Sequence, residues 1–196
     1  TAFDPLTLLR TRAGAVDIID VPELGFAVVE GTGSPEGSVF AQALQALFAV
    51  SYGAHFQLKR ERGIATKVMP LEALWWAVDE DLPEDAPRSA SGHGTLTDGK
   101  RELWRWQAMI LQPEPIDTDT IATVVGSLQE KKDLPGLGVL RYERWEEGRS
   151  AQVLHIGRYA DEAPSIVRLH EGVIAAGYRP RGRHHEIYLG DPRRSV

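Results

Sequence analysis

The 196-residue sequence predicts an α+β fold made of duplicated β-α-β-β modules with pseudo-twofold symmetry, antiparallel sheets with helices packed on them, and a ligand cleft at the module junction. Three observations lead there. Runs rich in Val, Ile and aromatic residues alternate with segments of helical periodicity, and Gly and Pro punctuate them. Both halves share one order: an apolar strand ending in Gly (Gly31 or Gly33; Gly157), a helix begun after Pro35 or from Pro164, and a strand with Glu near its start (Glu72; Glu186). A composition of 42% hydrophobic and 26% charged residues supports one sizeable core. The expectation is a single domain over residues 1–196, with module one at about 16–112 and module two at about 137–194. A groove at such a junction is a natural place for a small molecule.

Taking the elements in order, Ala13 to Gly31 carries Val16, Ile18, Ile19, Val21, Phe26, Val28 and Val29 around Pro22 and Gly25, which reads as strand, turn, strand. From Ser38 the apolar residues Phe40, Leu44, Leu47 and Phe48 recur at helical spacing, and the face is expected to continue to Tyr52 and Phe56. Met69 to Val78 reads as a strand with Pro70 at its start, where a missing N–H is tolerated. Asp79 to Lys100 is acidic, then rich in Gly and Ser, and reads as a loop. Leu103 to Gln112 is a second aromatic strand, ended by Pro113 and Pro115. Asp117 or Thr118 caps a helix with Ile121, Val124, Val125 and Leu128 on one face. Val139 to Trp145 and Arg149 to Ile156 flank Glu146-Glu147-Gly148, which reads as a hairpin. Asp161 and Pro164 open a helix with Ile166, His170, Val173 and Ile174 on one side, stopped by Gly177, and His184 to Leu189 is the last strand.

Several function classes are disfavoured by composition. A formal charge of −6, from 22 Lys and Arg against 28 Asp and Glu, does not suit a phosphate-tracking surface, so no nucleic acid partner is expected. The absence of Cys removes disulfides, thiolate zinc sites and Cys nucleophiles. No apolar run approaches the roughly 20 residues that span a bilayer. With no signal-peptide pattern either, no membrane partner is expected and the location reads as cytoplasmic. Gly31 to Gly37 resembles a phosphate loop in glycine content alone, and no Gly-x-Ser-x-Gly elbow is present. Arg179, Arg181 and Arg183 read as a solvated basic edge.

Strand alternation groups the remaining chemistry. Glu186 shares a face with His184 and Tyr188, and Glu72 shares one with Leu74 and Trp76. In an aromatic-lined cavity, desolvation would raise the pKa of such a Glu and suit it to proton transfer; a solvated strand residue is the plain alternative. Adjacent residues point apart, so only His184 and Glu186 could share an ion, with His155 needed from another strand, and neither metal nor cofactor is expected. Four of the five Trp fall in two clusters, Trp75-Trp76 and Trp104-x-Trp106, read either as core or as a surface for a flat apolar ligand.

Four segments together are similar to the GyrI-like small-molecule-binding family. They are Val68-Met69-Pro70-Leu71-Glu72 with Leu74-Trp75-Trp76; Trp104 and Trp106 with Met109-Ile110 and Gln112-Pro113; Glu146-Glu147-Gly148 with Gln152, Leu154-His155-Ile156-Gly157 and Tyr159; and Gly177-Tyr178 with His184 to Leu189 and Asp191-Pro192-Arg193-Arg194. More narrowly they resemble its stand-alone branch, which includes the cyclopropanoid cyclopropyl hydrolases. The resemblance covers nearly the whole chain and implies two β-α-β-β modules with a pocket between them. It implies a central pocket Glu at Glu186 and a helix Tyr at Tyr52, both expected to be catalytic. Trp76, Trp106, Glu72, His155 and Tyr188 complete the expected ligand-binding set. The implied ligand is a bulky aromatic or cationic small molecule. The implied activity is hydrolysis of the cyclopropane of DNA-alkylating cyclopropanoids, giving detoxification or self-resistance; the alternative is non-catalytic binding or sequestration of aromatic cations. No room precedes Val16 for a DNA-binding helix-turn-helix, so the free-standing form is expected. No protein partner is indicated.

Overall fold

The structure is a computed structural model that describes residues 4–77, 104–158 and 161–190. The strands are β1 (Val16–Thr32), β2 (Leu71–Ala77), β3 (Trp104–Leu111), β4 (Arg141–Val153) and β5 (His184–Tyr188). The helices are α1 (Ser38–Arg62), α2 (Thr118–Gln129) and α3 (Ala163–Ala175), with short 3-10 segments at Pro5–Leu9 and Pro135–Gly138. The strands form one five-stranded sheet ordered β4-β1-β3-β2-β5, and the β1/β3, β3/β2 and β2/β5 pairs are antiparallel. The class is therefore α+β. The loop read at Asp79 to Lys100 lies outside the described residues. Among the described residues no helix is long and apolar enough to cross a membrane.

Two expected turns are absent, and each has a physical reason. β1 runs unbroken through Pro22 and Gly25. Its pairing with β3 starts at Phe26, so the missing N–H of Pro22 removes no bond from that ladder. Gly25 is not a turn residue: the ring of Tyr142 fills the space where its side chain would be, with the Tyr142 hydroxyl 2.0 Å from an ideal Cβ position. The hairpin expected at Glu146-Glu147-Gly148 is instead the middle of β4. Gly148 does take the left-handed φ of 72° that such a loop calls for, but it takes it inside a strand that continues to Val153. The second half thus shows strand, helix, strand.

The chain divides into two compact units, one of Thr1–Glu23, Glu146–Pro180 and Gly190–Val196, the other of Leu24–Trp145 and Arg181–Leu189. In the first, Arg149 grips Asp20 through two hydrogen bonds of 2.9 Å and the Tyr178 hydroxyl through a third of 3.0 Å. In the second, α1 meets the sheet through Phe40 and buries Ala46, Val50, Ala54 and Leu58 in a cluster with Ile116, Ile121, Val124 and Leu137. Ser51 is satisfied there by Gln112 of the chain leaving β3, at 2.9 Å. α2 packs on the flank of α1 with Ile121 and Val124, and Asp117 caps it by accepting from the Thr120 amide at 2.9 Å. The expected continuation of the buried face to Tyr52 and Phe56 is corrected. Steps of four residues advance about 40° past a full turn, so Phe48, Tyr52 and Phe56 wind outward as a ladder of rings 6.4–6.5 Å apart, part-buried at Phe48 and exposed at Tyr52 and Phe56.

Gly31 of β1 stands opposite Trp106 of β3, and an ideal Cβ there would lie 2.3 Å from the indole ring. Trp106 is fully buried, so the ring has nowhere to move. Gly31→Ala is therefore expected to destabilise by about 1–3 kcal/mol despite the stiffer chain. Urea unfolding checks this, and a neutral or stabilising outcome contradicts the packing described.

Candidate functional site

Every group with site chemistry on β2 and β5 is placed by their register. Leu71 stands opposite Tyr188, Ala73 opposite Glu186 and Trp75 opposite His184. Paired residues share a face, so Trp75, His184, Glu186 and Tyr188 point one way and Glu72, Trp76, His185 and Ile187 the other. β3 continues the pattern, with Trp106 opposite Trp75 and Arg105 opposite Trp76. The two candidate carboxylates, Glu72 and Glu186, therefore occupy opposite faces of the sheet.

The face of Glu186 is the one α1 covers. Phe40 of α1 meets Trp75 at 5.2 Å and Trp106 edge-on at 4.9 Å, and Trp104 meets Trp75 at 5.8 Å. Beside this aromatic cluster, His184 Nε2 lies 3.2 Å from Glu186 Oε1. The Tyr188 hydroxyl donates to Glu186 Oε2, and the Trp75 indole N–H donates to the Tyr188 oxygen at 3.0 Å. The Glu186 side chain remains 21% exposed. Burial works to raise its pKa, but the hydrogen bond and charge of His184, then the Tyr188 and Trp75 donors, outweigh burial and hold the carboxyl below the ordinary glutamate value. Desolvation in an aromatic-lined cavity would alone raise this pKa; donors aimed at the charged form reverse the sign.

A carboxylate whose pKa is lower folded than unfolded lends stability above its unfolded pKa, and that stability is lost as pH falls through the folded value. Unfolding free energy is thus expected to start dropping as pH falls below the ordinary glutamate value of 4.5, and less so in Glu186→Gln. Urea melts between about pH 3 and 7 measure this. Equal acid sensitivity in the two proteins contradicts the assignment.

On the opposite face, Glu72 is 5% exposed and its Oε2 lies 3.1 Å from His185 Nε2. Trp145 of β4 sits against His185, centroids 5.9 Å apart, and against Phe26 at 6.1 Å. Trp76 carries the guanidinium of Arg183 3.7 Å above its ring, which corrects the reading of Arg183 as part of a solvated edge.

Of the expected site residues, the structure brings together Glu186 and Tyr188. Trp106 is on their face but wholly buried beneath Phe40, so it is core and no surface for a ligand. Trp76 faces away from both, and one flat molecule cannot stack on Trp76 and Trp106 together. Tyr52 is half-exposed in the outer ladder of α1 and makes no hydrogen bond to Glu186. His155 belongs to the other unit, where its ring nitrogens meet Ser165 Oγ and the Arg158 carbonyl, both at 3.0 Å. Among the described residues no group of three or more His, Asp or Glu is placed to hold a metal ion. Trp75 and the pairing of His185 with Glu72 went unread in the sequence. Alternation had already put His184 beside Glu186, which was the available signal for its role.

No family model and no curated protein matches the sequence. Solved structures do. An uncharacterized conserved protein from Listeria innocua is 23% identical with a TM-score of 0.79, covering 98% of this chain and 90% of that one. A hydrolase from Listeria innocua is 23% identical with a TM-score of 0.77, over 97% and 90% of the two chains. A hydrolase encoded by lin2189 from Listeria innocua is 24% identical with a TM-score of 0.78, over 97% and 89%. At this identity the likeness shows a shared fold along almost the full length of each chain.

Proposed function

We propose that the protein is a GyrI-like small-molecule-binding protein that takes up a bulky, planar aromatic electrophile at Glu186 and hydrolyses it, with the strained cyclopropane of a cyclopropanoid as the bond opened. The observation that carries the reading is the Glu186 carboxylate. It is held in the charged form by His184, Tyr188 and Trp75, keeps part of its surface exposed, and stands beside the Trp75–Trp104 cluster. A fixed negative charge at an aromatic wall can orient a water molecule against an electrophilic carbon. Support of a second kind comes from the fold neighbours that are described as hydrolases.

In the reaction proposed, the water oxygen bonds to the less hindered cyclopropane carbon and the ring C–C bond breaks. Its electron pair passes through the dienone to oxygen as a phenolate, and the proton lost by water ends on that oxygen. Strain and aromatisation supply most of the driving force, so modest acceleration suffices. Incubation with a spirocyclopropyl dienone in ¹⁸O-water tests the reading. Saturable conversion to a ring-opened phenol bearing one ¹⁸O is expected, and no conversion above the buffer rate overturns it.

The charged state of Glu186 also favours a second reading, sequestration of planar cations with the carboxylate as counter-charge. Tight, saturable binding of a cationic dye such as ethidium, weakened in Glu186→Gln and without dienone turnover, selects that reading over hydrolysis.

A further inference from the structure

We propose that Ser165 and His155 form a second catalytic centre, a nucleophile and its general base that hydrolyse small carboxylic esters with good leaving groups. Both residues belong to the unit that holds α3, and the proposal stands independently of the cyclopropanoid reading of Glu186. His155 Nδ1 lies 3.0 Å from Ser165 Oγ, and His155 Nε2 lies 3.0 Å from the Arg158 carbonyl oxygen. A carbonyl oxygen only accepts, so Nε2 carries the proton of the neutral ring and Nδ1 is the lone-pair nitrogen. The Ser165 hydroxyl therefore donates to Nδ1. A hydroxyl bonded to its base, with that base oriented by a third group, is the arrangement that activates a serine.

Local structure builds this geometry on both sides. β4 ends at Val153 and Leu154 bridges to Ala13, which fixes the chain just before His155. Gly157 then turns the backbone with a φ of 144°, a conformation that favours glycine, and the Arg158 carbonyl comes back onto the ring of His155. That carbonyl also accepts from the Asp161 amide at 2.9 Å, and the Arg158 guanidinium binds the Asp161 carboxylate at 2.9 Å, so the orienting oxygen is itself held. Ser165 stands in the first turn of α3, its amide donating to the Glu162 carbonyl at 2.8 Å. There the positive end of the helix favours negative charge that develops at Oγ and at an attacked carbonyl. Gly172 is seven residues further on and shares the face of Ser165, and an ideal Cβ on it would lie 2.9 Å from Val16 of β1. The Ser165 side of α3 is thus turned toward the body of its unit, and Ser165 and His155 are both part-buried rather than sealed in the core.

The reaction balances as an ester hydrolysis. Ser165 Oγ bonds to the ester carbonyl carbon as its proton passes to His155 Nδ1. The carbon–oxygen bond to the leaving group breaks, and the departing oxygen takes the proton from Nδ1. Water then attacks the acyl-serine, losing a proton to Nδ1, and Ser165 departs with that proton restored, so ester and water give acid and alcohol. A backbone carbonyl steadies the imidazolium less than the full charge of a carboxylate does, which selects activated esters, aryl esters above all, over amides.

Covalent labelling tests the proposal on the full chain without any substitution. Phenylmethylsulfonyl fluoride is expected to sulfonylate the protein with loss of fluoride, and peptide mass mapping to place the group on Ser165. Ser165→Ala should lose the label, whereas Ser127→Ala, which removes an exposed hydroxyl bonded to Lys131, should keep it. With p-nitrophenyl acetate as substrate, His155→Ala is expected to slow both turnover and labelling by about 10²–10⁴-fold, with circular dichroism as the fold control. A wild-type protein that takes no label at Ser165, or a Ser165→Ala variant that turns over the ester at the wild-type rate, overturns the proposal. Either failure leaves the cyclopropanoid reading standing, since dienone turnover is measured by its own assay.

Discussion

Glu186→Gln is expected to lower turnover of a spirocyclopropyl dienone by about 10²–10⁴-fold with little change in fold. The amide matches the carboxylate in shape, so Trp75, Tyr188 and the β2/β5 register survive, while the negative charge is lost. The loss should fall on kcat. A charge that orients water acts in the transition state more than on the resting aromatic ligand. A variant that keeps kcat and only raises KM places Glu186 in binding and favours sequestration. Steady-state kinetics with circular dichroism as a fold control separates these outcomes, and unchanged kcat and KM together remove Glu186 from the site.

Trp106→Ala is expected to cost about 3–5 kcal/mol of unfolding free energy, a large part of the stability of an ordinary domain. The indole is wholly buried between Phe40 of α1 and the bare backbone of Gly31, so its removal leaves a cavity bounded by both helix and sheet. Trp76→Ala, by contrast, should cost about 1 kcal/mol, mainly the contact with Arg183 over a part-buried ring. Urea unfolding followed by circular dichroism compares the two. Similar losses for both would contradict the division of the tryptophans into core and surface.

The sequence makes the strands and helices legible because periodicity is local. α2 begins at the Asp117 cap that its side-chain chemistry requires, and β2 begins just after Pro70. Turns inside long strands were harder. Pro22, Gly25 and Gly148 carry turn chemistry, but the neighbouring strands and the ring of Tyr142 decide their use. Alternation within β5 correctly put His184, Glu186 and Tyr188 on one face, since that needs no partner strand. Which tryptophan joins them depends on the register between β2 and β5, a long-range property that local pattern does not contain. For that reason Trp76 was favoured where Trp75 makes the hydrogen bond. The sign of the Glu186 shift was missed for the same reason, because the donors that set it come partly from β2.

β5 is an edge strand of five residues, and in His-His-Glu-Ile-Tyr the apolar alternation that usually fixes alignment is weak. Two imidazole–carboxylate pairs stand in its place, His184 with Glu186 on one side and His185 with Glu72 on the other. A slip of one residue would carry His185 to the wrong side and leave the nearly buried Glu72 carboxyl without its imidazole partner. The strand is thus proofread by its polar groups: a misaligned edge loses hydrogen-bonded partners on both sides of the sheet, and correct docking of β5 sets the face that carries Glu186.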